Sequence, residues 1–205
     1  MSAAVGALPL FPLRMVLFPG AVLHLKVFEA RYLDLIGRCL RSREPFGVVC
    51  IAEGQEVGTA GSARLEAVGV LAHIEEVDAE QAGILQVRCI GGGRFRLTGA
   101  PTQATDGLWT APVDRLPDDE VAAPPEALHG TVQALSNAVA ALRERGTMPF
   151  AEPMRLDDAG WVANRWCELL PVSLAARQKL MELEDPVVRL QLVDDFLRGR
   201  KVVTG

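Results

Sequence analysis

Leu8-Pro9-Leu10-Phe11-Pro12-Leu13-Arg14-Met15-Val16-Leu17-Phe18-Pro19-Gly20, continued by Ala21-Val22-Leu23-His24-Leu25-Lys26-Val27-Phe28-Glu29-Ala30-Arg31-Tyr32, is the stretch whose reading decides the fold. Two short apolar strands, residues 7–13 and 21–27, flank the Pro19-Gly20 pair. A proline presets φ for the second position of a turn and the glycine supplies the positive φ a type II turn needs next, so the chain reverses there. Pro9 and Pro12 cannot donate to a ladder, which confines the first strand to a sheet edge or splits it at a bulge. A helix follows directly. Phe28, Tyr32, Leu35, Ile36, Cys39 and Leu40 fall on one helical face, and the residue before Pro45 is pushed out of the α region, ending the helix before Glu44.

Working outward, residues 46–51 form a continuous apolar run of strand length, buried on both faces. Residues 53–64, rich in glycine and small polar side chains, read as a loop. Two alternating strands follow at 65–75 (Val68, Val70, Ala72 and Ile74 on one face) and 84–90 (Leu85, Val87 and Cys89), joined as a hairpin through 78–83. Gly91-Gly92-Gly93 does not open a helix, so it reads as a tight hairpin turn or bulge rather than an anion nest. In 94–97 the alternation puts Arg94 and Arg96 on one side, Phe95 and Leu97 on the other, and 108–116 supplies a last strand with Trp109, Ala111 and Val113 on one face. About six short strands hide their edges best in a closed or nearly closed barrel.

The acidic, proline-rich run 117–125 marks an internal boundary, dividing the chain into 1–118 and 119–205. Beyond it the period is helical. Leu128, Val132, Leu135, Val139 and Leu142 make a seam that Pro125 starts and Gly146 ends. A second helix spans about 158–170 with Val162, Trp166, Leu169 and Leu170 inward and Trp161 off that face. Ser173 caps a third helix, and Asp185-Pro186 opens a final one that closes at Gly199.

With 205 residues, 49% of them hydrophobic, the chain can bury a sizeable core, and no apolar run reaches the ~20 residues of a membrane span. The net charge of -5 disfavours phosphate backbones and anionic lipid. Four scattered cysteines without a C-x-x-C pair read as reduced buried thiols, and with no leader pattern ahead of them the expected compartment is the cytoplasm. The phosphate-cradling G-x-x-x-x-G-K-[ST] loop is missing, and the chain contains no Gly-Lys pair. Ser173 and Lys179 would point about 240° apart around a helix, which suits a cap and not a dyad. His24, His73 and His129 have no ligand spacing to one another. No metal, cofactor or catalytic constellation is expected.

The pattern L-P-L-F-P-L, V-L-F-P-G, L-x-L-x-V-F-E-x-R-Y over residues 8–32 resembles the opening of the amino-terminal substrate-binding domain of Lon protease. The E-L-L-P, S-L-x-x-x-Q-x-L and D-P-x-x-R-L spacings between 161 and 190 resemble its helical part. The closest likeness is to small bacterial proteins made of that domain alone. The resemblance implies an α+β fold, a barrel of the type associated with pseudouridine synthases (PUA-like) with one early helix, followed by a helical bundle. It also implies a noncatalytic module, lacking the ATPase and peptidase parts, that binds unfolded polypeptide or a partner protein in protein quality control.

The candidate site on this reading is a polar rim of Glu29, Arg31 and Tyr32 beside an exposed apolar loop carrying Leu17 and Phe18, with Arg94 and Arg96 contributing. The structural alternative gives Glu29 to a helix terminus, Arg31 to a salt bridge, Tyr32 to the core and both strand arginines to a solvated face. An RNA-binding module is the rival function. A single tyrosine, an acidic balance and no basic stripe interleaved with aromatics weigh against it.

Overall fold

Pro19 and Gly20 do reverse the chain: Gly20 has φ 76°, and the Ala21 N–H donates to the Phe18 carbonyl at 3.0 Å. The strands on either side, β1 (Leu8–Leu13) and β2 (Val22–Val27), nevertheless belong to different parts of the sheet in this computed structural model, which describes residues 7–53, 64–147 and 150–201. β1 runs parallel to β3 (Phe46–Glu53) and antiparallel to β7 (Trp109–Ala111), so it is a continuous interior strand, neither the edge strand nor the bulged one expected. The prolines are tolerated because the two ladders overlap only at Leu10. Pro9 lies where β1 is paired with β7 alone, and Pro12 where it is paired with β3 alone, so each proline leaves a donor missing where the strand is locally an edge. β2 hands the chain to α1 (Ala30–Ser42), which ends as expected with Arg43 in the left-handed region. Phe28 was expected on its apolar face, but it precedes the helix and is exposed, as is Leu40 at the far end.

Two long strands, β4 (Arg64–Gln81) and β5 (Ile84–Leu97), carry the rest of the barrel. Their ladder extends through the expected connection to a tight turn at Gly83. The loop expected at 53–64 falls mostly on 54–63, outside the described residues. Sheet order is β2-β5-β4-β3-β1-β7-β6, with β6 (Thr102–Gln103) on the far edge and β8 (Val113–Arg115) paired back onto β5. The strand expected over 108–116 therefore breaks at Pro112. Its first half pairs with β1 and its second with β5, which closes the circuit β5-β4-β3-β1.

The triple glycine is a bulge inside β5: from Ala72 to Val70 β4 advances two residues while β5 advances three, Gly91 to Arg94. Gly91 also receives the Pro19-Gly20 turn. Its carbonyl accepts the Gly20 N–H at 2.7 Å, its own N–H donates to the Ala21 carbonyl at 2.9 Å, and a Cβ there would stand 2.3 Å from the Phe18 oxygen. Within the barrel, Leu8, Leu10, Val49, Leu71, Phe95, Ala111 and Val113 form a buried cluster.

The chain divides into two compact units, Met1–Asp118 and Asp119–Gly205. In the second, a 3₁₀ turn (Glu126–Leu128) leads into α2 (His129–Glu144), followed by α3 (Ala159–Leu169), α4 (Leu174–Glu182) and α5 (Pro186–Gly199). Asp158, Ser173 and Asp185 cap the last three through their side chains. Every residue of α3 from Ala159 to Cys167 is buried, so Trp161, expected off the apolar face, packs edge-on against Phe150. Arg189 of α5 is also buried. It grips both carboxylate oxygens of Asp119, the Asn164 side chain and the carbonyls of Leu180 and Leu183. No helix among the described residues is long and apolar enough to cross a membrane.

Candidate functional site

The expected exposed loop is not exposed. Leu17 and Phe18 are buried at 3% and 1%, because the turn folds back onto Gly91 and carries both side chains inward. Tyr32 is buried too, its ring stacked on Phe11 with centroids 3.9 Å apart. Glu29 pairs with Arg31 at 2.6 Å, and Arg31 donates to the Gly107 carbonyl at 3.0 Å while lying over the Tyr32 ring. Gln103 donates to the same carbonyl at 2.8 Å. The start of α1 is thereby pinned to the turn before β7, which is a structural task. Arg94, expected in the binding rim or else on a solvated face, is instead 3% exposed and donates to the Pro117 carbonyl at 3.2 Å. Arg96 is exposed and stands opposite Asp114 across the ladder.

A different site emerges at the open end of the barrel. A cavity of about 370 Å³ has Leu8, Leu71, Phe95 and Val113 of the barrel core as its floor and Leu35 and Cys39 of α1 as one wall. Two glycines shape that floor. A Cβ on Gly47 would stand 2.7 Å from both Leu8 and Phe95, and one on Gly69 would stand 2.5 Å from the Phe95 ring. The ring therefore lies against the backbone of β3 and β4, leaving the mouth open. Ala7 and Pro9 form one lip, and Arg38, Ser42, Glu44, Pro45 and Arg115 complete it. A second depression of about 310 Å³ shares Cys39, Glu44 and Pro45 with the first and adds Leu40, Arg43, His73 and Ile74. The size, the apolar floor and the few polar groups at the lip are those of a binding pocket.

Its one thiol is Cys39. Burial raises the Cys39 thiol, and it pushes Cys50 up to about 11 and Cys89 and Cys167 to about 12, so thiolates are scarce at neutral pH. All four cysteines are free. No group of three or more His, Cys, Asp or Glu side chains that could hold a metal occurs among the described residues. Ser173 accepts from the Ala176 N–H at 3.2 Å, and Lys179 pairs with Glu182 at 2.9 Å. Sequence reasoning placed Leu35, Cys39, Phe95 and Val113 on apolar faces but not together. Their convergence depends on β8 returning to β5, a long-range pairing with no local signal.

The profile of the ATP-dependent protease La (LON) substrate-binding domain matches residues 7–199. Lon protease 2 of Herpetosiphon aurantiacus is 31% identical over 196 residues, which cover 93% of this chain but only 23% of that protein. Among solved structures, a Lon N-terminal domain protein from Xanthomonas campestris superposes with a TM-score of 0.75 at 32% identity, over 92% of this chain and 97% of that one. The N-terminal domain of the Mycobacterium avium complex Lon protease shares the fold at a TM-score of 0.57 and 17% identity, over 94% and 98% of the two chains. This chain belongs to the Lon substrate-binding domain family.

Proposed function

We propose that this protein binds exposed apolar segments of unfolded polypeptide at the open end of its barrel, without acting on them chemically. The observation that carries the reading is the 370 Å³ cavity whose floor is barrel core. The floor itself is nearly covered, but Ala7, Pro9 and Pro45 at the lip keep apolar surface in water, and a visiting side chain that covers it gains about 25 cal/mol per Å² removed from water. Membership of the substrate-binding family supports the same reading. The test is a fluorescence titration with a labelled decapeptide having an apolar centre and uncharged flanks. Two occluding variants, Ser42→Trp and Ala7→Trp, place bulk at the lip on exposed residues of separate chain segments, and circular dichroism checks that each is folded. Binding should change little with salt and weaken roughly tenfold in both variants, as when about 1.4 kcal/mol of apolar burial is lost. Single-stranded RNA serves as the comparison. Tight RNA binding that falls steeply with salt, with no peptide binding, would overturn the proposal.

A further inference from the structure

We infer that the groove selects apolar segments flanked by acidic side chains; this rests on the barrel mouth being the polypeptide site. The lip carries two arginines from separate elements, Arg38 on α1 and Arg115 on β8. Neither has a carboxylate within ion-pair distance among the described residues, whereas Arg31, Arg64 and Arg88 of the same unit are paired with Glu29, Glu53 and Glu75. Arg41, Arg43 and Arg96 of this unit likewise have no such partner among the described residues, but they do not line this cavity; what sets Arg38 and Arg115 apart is their place at its lip. Glu44 is the acidic member of the lip, and it leaves the mouth with one net positive charge.

A peptide that seats an apolar residue against Ala7, Pro9 and Pro45, the accessible apolar part of the lining, brings its neighbours to the charged lip, one residue every ~3.3 Å if extended. Acidic neighbours there meet Arg38 and Arg115, whose planar forks suit a carboxylate. Basic neighbours meet like charge, which acts against binding.

Three labelled decapeptides with one apolar centre and Glu, Gln or Lys flanks distinguish this inference from the reading beneath it. They would be titrated at low and physiological salt against wild type, Arg38→Gln, Arg115→Gln, the double variant and Ser42→Trp. Both arginines are outside the barrel core, so their variants should fold, and thermal melts check that. Wild type should prefer Glu over Gln flanks by about fivefold at low salt and disfavour Lys flanks, as for exposed ion pairs. The preference should shrink at physiological salt, where screening acts over about 8 Å, and vanish in the double variant. Ser42→Trp should weaken all three peptides. Equal affinity of wild type for the three, with Ser42→Trp still weakening them, overturns the charge selection and leaves the site standing. No binding of any peptide overturns both.

Discussion

Phe18 and Gly91 depend on each other across most of the barrel unit. The Phe18 carbonyl lies where a Gly91 side chain would be, and its ring is in the core. Gly91→Ala should cost about 1–3 kcal/mol through forced backbone movement, and Phe18→Ala about 3–5 kcal/mol through the cavity it leaves, both read from urea unfolding. Neither should alter peptide affinity in the molecules that stay folded. Sequence reading found the turn because Pro-Gly chemistry is local. It misplaced Phe18 because burial was decided by a glycine on another strand.

Glu168 makes a second residue-scale prediction. Burial pushes its carboxyl up to about 7 against the attraction of Arg165, 2.5 Å away, and of Arg177, and the same burial lowers Arg165. A carboxyl whose folded pKa lies above its ordinary 4.5 takes up a proton on folding. Its contribution to stability is therefore fully present below about 4.5 and lost as pH rises to about 7. Urea unfolding between pH 4.5 and 8 should show stability falling over that window, and Glu168→Gln should flatten the fall whatever its effect on absolute stability. An unchanged slope would assign the pH dependence elsewhere.

At the scale of elements, the starts of the last two helices were legible because a cap is written in neighbouring residues. Ser173 and Asp185 accept backbone N–H groups where the sequence placed caps, and Asp158, read only as the approximate start of its helix, does the same. Asp185→Ala should cost about 1 kcal/mol. Arg189 was not legible: it reads as one more polar residue on an amphipathic helix, yet it is 1% exposed and its partners come from α3, from the end of α4 and from Asp119. Removing one member of such a pair strands the other, so Arg189→Ala should destabilise by about 3–5 kcal/mol, more than any cap, in the same unfolding assay. The prolines of β1 carry a similar lesson. The rule that proline avoids interior ladders was sound, but it applies residue by residue and not to a whole strand.

For the whole molecule, we propose that limited proteolysis cuts first at the boundary 117–125, where Val121 is 72% exposed, or within 54–61, which lies outside the described residues. Two fragments that survive together would support independent stability of the units, and early cleavage within α2 or α5 would oppose it.

The pairing of β1 has a temporal side. Leu8, Pro9 and Leu10 find their partners at Ala111, Thr110 and Trp109, about a hundred positions later. A strand that waits for so distant a partner pays a large loop-closure cost, and barrels of this kind fold in milliseconds to seconds. During synthesis at roughly 5–20 residues per second, the first strand is complete several seconds before its β7 partner is made. Until then Leu8 and Pro9, which β3 does not pair, are open to other chains. For those seconds the nascent protein is itself an unfolded apolar segment, chemically of the kind its finished barrel is proposed to hold.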